Sequence, residues 1–185
     1  MLAGVAGVVA ALAVAGLGPL EDAVREITLP LQHEDIIRQQ AADKGLHPAL
    51  VAAVIYEESR FRDQTSHAGA RGLMQITPDT AEFIARDSGG TEFEQSDLAT
   101  PQVNIAYGAY FLRYLLARYD GDELLATAAY NAGETNVNRW IERAGGREDF
   151  DPESDIPFPE TRNYVQNVQE RKREYREHYA EELGL

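Results

Sequence analysis

A glutamate followed by a serine closes one apolar stretch of this chain, Pro48-Ala-Leu-Val-Ala-Ala-Val-Ile-Tyr-Glu-Glu-Ser59. Leu50, Val51, Val54 and Ile55 recur there at helical spacing. On a wheel turning about 100° per residue, with Leu50 at zero, these four centre near ~70° and Glu58 falls at about 80°. Glu58 is thus expected to point into the apolar stripe, and Glu57 to sit at its edge within reach of water. A carboxylate turned toward apolar surroundings is costly when ionised and tends to keep its proton. That is the state a general acid needs at neutral pH. A plainer alternative makes Glu58 a helix-end carboxylate paired with Arg60 or Arg62.

Three further stretches carry groups suited to a site. Gly69-Ala-Arg-Gly-Leu-Met-Gln-Ile-Thr-Pro78 holds small residues that let the backbone pass close to something bulky, and Gln75 adds an amide that both donates and accepts. Ala128-Ala-Tyr-Asn-Ala-Gly133 presents the Tyr130 hydroxyl and the Asn131 amide beside small residues. Ile156-Pro-Phe-Pro-Glu-Thr-Arg-Asn-Tyr164 offers Glu160, Tyr164 and Thr161, the last as a helix cap. Each also has an ordinary reading, as a tight turn, a helix C-cap or a helix start.

The elements that must hold these residues are helices. Ile36, Ile37 and Ala41 predict a helix over 34–44 that Gly45 stops. Pro48 opens the Glu58 helix in its first turn. Thr77-Pro78 and Thr100-Pro101 are two start signals, each a capping hydroxyl followed by proline. The first begins a helix to about residue 87, with an acidic loop over 88–98. The second begins a helix ending near Gly121, in which Val103, Ala106, Tyr107, Tyr110, Phe111, Tyr114 and Leu115 form a wide stripe expected to be core. Further helices are predicted over 122–130, 134–144 and 160–183, with a loop over 147–159. The segment 170–178 reads as a solvated face with i,i+4 charge pairs. No stretch alternates with period two, so the fold class is all-α.

With 185 residues the chain can form one domain with a proper core. A formal net charge of -14 argues against nucleic acid as a partner. Cysteine is absent, which excludes thiol catalysis and disulfides, and the four histidines form no His-x-x-x-His pair, so neither a metal nor a cofactor is expected. Residues 1–20 carry no charge and are rich in Gly, Ala and Val. They read as a signal peptide or a membrane anchor, residues 21–33 as a linker broken by Pro30, and residues 34–185 as the catalytic domain.

Glu58-Ser59, Gly72-Leu73-Met74-Gln75, Ala129-Tyr130-Asn131-Ala132-Gly133 and Glu160-Thr161-Arg162-Asn163-Tyr164 occur in one order, and together they closely resemble the lytic transglycosylases of the soluble, lysozyme-like SLT-domain family. The resemblance implies a lysozyme-like α fold with a substrate groove. It implies cleavage of the β-1,4 bond between N-acetylmuramic acid and N-acetylglucosamine in peptidoglycan strands, leaving a 1,6-anhydromuramoyl end. It further implies that Glu58 is the sole catalytic acid/base and that Ser59, Met74, Gln75, Tyr130, Asn131, Glu160 and Tyr164 surround substrate. Asp63 and Asp79 are candidates for a second carboxylate only if the fold brings them within reach, and both read better as loop and helix-start charges. Such an enzyme is expected to be exported to the bacterial cell envelope, to the periplasm or the outer face of the membrane, anchored or secreted. A hydrolytic muramidase and a non-catalytic peptidoglycan-binding protein of the same fold are the alternatives.

Overall fold

The computed structural model describes residues 23–89 and 93–185. The expectation of a signal peptide or anchor over residues 1–20 lies outside them. The chain divides into two units, Met1–Gln32 and His33–Leu185. In the first, residues 23–28 are helical and the helix ends ahead of Pro30, whose ring fixes φ and removes a donor. Among the described residues no helix is long and apolar enough to cross a membrane.

The second unit is all-α, as its residue pattern demands. Its helices are α1 (Glu34–Lys44), α2 (Pro48–Ser59), α3 (Pro78–Asp87), α4 (Pro101–Arg118), α5 (Glu123–Ala132), α6 (Glu134–Ala144), the single turn α7 (Pro152–Asp155) and α8 (Pro159–His178). A 3₁₀ turn at Gln95–Ala99 forms at the end of the stretch expected to be loop, and α7 lies within the later one. α2 packs against α1 and α8; α4 packs against α1, α3 and α5; α5 also meets α6 and α8.

The expected one-sided stripe on α2 is wrong in kind. Every residue from Ala49 to Tyr56 is buried, so the helix is surrounded rather than laid on a surface. Its apolar residues fill all sides, and a helix apolar all round belongs inside. The Nδ1 of His47 accepts from the Ala49 N–H at 3.2 Å and satisfies one of the first-turn donors. At the other end Arg60 and Phe61 adopt positive φ, turning the chain so that Phe61 is buried 6.2 Å from the Tyr175 ring.

The stripe on α4 is also corrected. Its buried residues are Asn104, Ile105, Gly108, Ala109, Leu112, Leu115 and Leu116. Tyr107, Tyr110, Phe111 and Tyr114 are half-buried only, rotated to the margin of the core. Gly108 explains the choice of face, because Met74 lies against it so closely that a Cβ there would stand 2.2 Å from the Met74 sulfur. Neither do both threonine start signals work alike: Thr77 Oγ1 accepts from Thr80 N–H, whereas Thr100 makes no side-chain cap. α8 begins at Pro159 and ends at His178, five residues short of the expected end, and Thr161 does not cap it. Nor is its second half simply solvated. Tyr175 is fully buried among Tyr56, Phe61 and Tyr179, and Lys172 reaches Glu123 of α5 at 2.6 Å.

The loop between α2 and α3 has no regular ladder, only bridges Thr65–Arg71 and Arg71–Ile76, and a side chain from α4 takes up part of its backbone. Asn104, 1% exposed, is the pin. Its Oδ1 accepts from Met74 N–H at 2.8 Å, and its Nδ2 donates to the carbonyls of Arg71 and Leu98, each at 2.9 Å. All three bonds are made in the core, where an unpaired amide would be destabilising. Gly72, at φ +77°, allows this approach: a Cβ would lie 2.1 Å from Asn104 Nδ2 and 2.7 Å from Leu98 O. The small residues of the stretch therefore admit the protein's own Asn104. Replacing Gly72 with Ala is expected to destabilise the domain by about 2–4 kcal/mol, through both the clash and the left-handed φ. Urea denaturation compared with a Gly89→Ala control, where a Cβ meets nothing within 4 Å, measures the steric part of that loss.

Candidate active site

Three helices converge on one cavity of about 400 Å³, lined by Glu57, Glu58, Asn131, Glu160, Asn163, Tyr164 and Asn167. α2 supplies the first two, the end of α5 supplies Asn131, and one face of α8 supplies the rest. Residues 160, 163, 164 and 167 follow helical spacing, so a single helix lays four polar side chains along one wall.

Glu58 is mostly enclosed, with part of its surface open to this cavity. The Tyr164 hydroxyl donates to Glu58 Oε1 at 2.7 Å. Burial raises the Glu58 pKa from 4.5 to about 7; the Tyr164 hydrogen bond opposes the rise and the Glu57 charge adds to it. Desolvation dominates because one phenol cannot replace the water that helix packing has removed. Tyr130 and Tyr164 are both pushed well above the ordinary tyrosine range by burial, with the Glu58 charge second, so each stays a neutral hydroxyl. Neither arginine expected as a partner pairs with Glu58: Arg60 turns its guanidinium over the Tyr56 ring at 5.5 Å and Arg62 donates to Ser59 O at 3.4 Å.

Glu57 is not the solvent-facing neighbour expected from the wheel. Its side chain is only 14% exposed, because α8 crosses over that edge of α2. Asn167 Nδ2 donates to Glu57 Oε2 at 3.1 Å, and Arg171 Nε stands 3.9 Å from Oε1. Arg171 also reaches Glu174 and lies 5.3 Å from the Tyr56 ring centroid. Glu57 is therefore a held carboxylate on the cavity wall.

The other expected site residues divide by position. Ser59 is 2% exposed and donates to Leu73 O at 2.7 Å, tying α2 to the following loop. Met74 is 0% exposed, packed on Gly108, and contributes only its carbonyl, which accepts from the Tyr130 hydroxyl at 2.9 Å. Gln75, at φ +48°, folds back so that Nε2 donates to Gly72 O at 2.9 Å and Gln64 O at 3.1 Å. Asn131 Oδ1 accepts from Thr161 Oγ1 at 2.8 Å, joining α5 to α8 where both meet the cavity. Glu160 is exposed at its rim. Asp63 and Asp79 do not line it. Asn163 and Asn167 carry no expected role from the sequence and Glu57 was expected to face solvent, although counting three, four and seven positions along a helix from Glu160 reaches Asn163, Tyr164 and Asn167.

Among the described residues no group of His, Asp and Glu could hold a metal ion. What remains is an acid kept protonated near neutrality, neutral phenols around it, and a polar wall of amides and carboxylates. In an all-α domain, a glutamate of this kind in an open cleft is suited to general acid–base chemistry.

Residues 35–151 match the Transglycosylase SLT domain, and the chain belongs to that family. It is 33% identical over 154 residues to the soluble lytic murein transglycosylase of Salmonella typhimurium, covering 82% of this chain and 24% of that protein. Among solved structures it resembles an inactive glutamate-to-glutamine mutant of the lytic transglycosylase Slt from Pseudomonas aeruginosa, with TM-score 0.76 and 34% identity over 84% of this chain and 26% of that one. It also resembles the 70 kDa soluble lytic transglycosylase of Escherichia coli, with TM-score 0.78 and 29% identity over 85% of this chain and 26% of that one. The chain thus spans about a quarter of the length of these relatives.

The two neighbours of Glu58 should move its titration in opposite directions. Tyr164→Phe removes a donor to the carboxylate and raises the pKa above about 7; Glu57→Gln removes a like charge and lowers it. Carboxyl-carbon NMR of labelled glutamate reads both. Stability carries the same signature. The folded state holds the Glu58 proton from pH 4.5 to about 7 where the unfolded chain has released it, so stability is lost as pH rises through that window. Glu58→Gln should then be more stable than the parent by up to about 3 kcal/mol above pH 7, an advantage that disappears below pH 4.5 in denaturation curves.

Proposed function

We propose that this domain is a peptidoglycan lytic transglycosylase in which Glu58 acts alone as general acid and then general base. The observation that carries the reading is a mostly buried carboxyl, open to a polar cleft, that accepts a hydrogen bond from the Tyr164 hydroxyl at 2.7 Å.

In this reading, neutral Glu58 gives its proton to the glycosidic oxygen as the bond from that oxygen to the muramoyl C1 breaks. The resulting carboxylate then takes the proton of the muramoyl C6 hydroxyl as that oxygen bonds to C1. The two steps in succession return Glu58 to its protonated starting state, and the product is a 1,6-anhydro ring. Tyr164 suits both halves because its hydroxyl can follow the charge, donating more strongly once Glu58 is ionised. Asn131, Glu160, Asn163 and Asn167 are the groups available for sugar hydroxyls and acetamido groups; Ser59, Met74 and Gln75 support the site from behind. The inactivity of the glutamate-to-glutamine mutant of the Pseudomonas relative accords with an essential acid. Peptidoglycan as substrate puts the protein in the bacterial cell envelope, the compartment that an N-terminal signal peptide or anchor would serve.

A hydrolytic outcome has one observation in its favour: Glu57 and Glu160 line the same cavity, and paired carboxylates are what hydrolytic glycosidases use. Glu57 is committed to Asn167 and Arg171, which favours the single-carboxylate route. Mass analysis of glycans released from purified sacculi separates the two. Anhydromuramoyl ends are expected, and reducing ends in their place would make the enzyme a muramidase. Glu58→Gln should lower the release rate by on the order of 10²–10⁴. Rates of the parent should fall as pH climbs past about 7, where Glu58 loses its proton.

A further inference from the structure

Behind the wall that α8 presents to Glu58 lies a second hollow. Val165, Gln169 and Arg173 sit roughly 170° around the helix from Glu160, Asn163, Tyr164 and Asn167. They face a cavity of about 370 Å³, completed by Leu124 of α5 and by Pro152 and Glu153 of α7. It shares no lining residue with the Glu58 cleft. The floor is aliphatic: Val165 is 2% exposed, and Leu124 keeps 38% of its surface open. Three polar groups beside that floor have no partner among the described residues. Gln169 Nε2 is buried without an acceptor, which is destabilising until something supplies one. Arg173 and Glu153 carry opposite charges on exposed side chains, yet neither forms an ion pair with the other or with any described residue. Asp151 also lines the hollow, but its carboxylate is engaged in starting α7, accepting from Glu153 N at 3.0 Å and Ser154 Oγ at 2.9 Å.

We propose that this hollow binds a short zwitterionic peptide with an aliphatic side chain. The side chain rests on Leu124, Pro152 and Val165, the carboxylate meets Arg173 and Gln169, and the ammonium meets Glu153. Residues 169 and 173 are one helical turn apart, so a guanidinium and an amide donor act together on one carboxylate. The terminal torsion of glutamine is broad, which lets Gln169 turn its donor to the opening. A phosphate or other polyanion would meet two carboxylates against one arginine. A sugar ring finds no aromatic face, since none of the described lining residues is aromatic. A purely apolar ligand would leave the amide and both charges unanswered. The inference does not depend on what the Glu58 cleft binds, because α8 separates the two cavities.

Titration of the isotope-labelled protein with L-alanyl-L-leucine, followed by amide NMR, tests the site. Shifts are expected at Leu124, Val165 and the Gln169 side-chain amide, and none at Glu58 or Asn131. The N-acetylated and the C-amidated dipeptide should each bind about tenfold more weakly, one for each charge removed. Arg173→Gln should weaken the free dipeptide by about tenfold and no longer distinguish it from the amidated form. Glu153→Gln should do the same with respect to the acetylated form. Both side chains are exposed, so neither variant threatens the fold. Sacculus cleavage should be unchanged in both. Absence of shifts, shifts confined to the Glu58 cleft, equal affinity for the free and blocked dipeptides, or parent-like binding by Arg173→Gln would each overturn the site. Loss of sacculus cleavage in either variant would overturn its independence from the cleft.

Discussion

The contact between the Tyr164 hydroxyl and Glu58 depends on two helices more than a hundred residues apart being in register. α2 must be buried for the carboxyl to be desolvated, and α8 must cross it for a phenol to arrive. Removing water pushes the acid toward its protonated form, and the single hydrogen bond keeps it oriented without stabilising the anion enough to undo that. A lysine or arginine in place of the phenol would have reversed the balance and left a permanently ionised carboxylate. The cleft avoids this by turning Arg60 and Arg62 away and by setting Arg171 behind Glu57.

The loop after α2 contributes by being fixed rather than by reaching into the cavity. Ser59, Met74 and Gln75 sit in the part of the sequence that most resembles a site, yet their bonds run to backbone groups or the core. Asn104 holds the loop from α4, Tyr130 from α5 and Ser59 from α2. Three helices thereby share one strand-free segment, and the position of Glu58 inherits that rigidity. Local propensity cannot provide such a scaffold, since the segment lacks a regular ladder to satisfy its own amides.

Much of the helix order was legible because prolines, glycines and capping residues act within a few positions of themselves. Pro48, Pro78 and Pro101 open their helices, and Gly45, Gly133 and Gly145 sit at helix ends, where they were expected. The faces were less legible. On α4 the aromatic residues look like the core by hydrophobicity, but the close seat of Met74 on Gly108 decides which side is buried. On α2 the wheel gave Glu58 the right environment for an incorrect reason, because the whole helix is enclosed and no single stripe exists. Glu57 was read as exposed since its wheel position knows nothing of Asn167 and Arg171.

The sequence by itself determined an all-α domain, the order of its helices and four stretches that belong together, because these depend on residue type and short spacing. Only the tertiary structure decided which residues of those stretches face the cavity and which support it from behind. It alone decided that Glu57 is held and that Tyr164 touches Glu58. Burial is set by what packs across an element from elsewhere in the chain. For Glu58 that packing turns an ordinary carboxylate into an acid that keeps its proton near neutral pH.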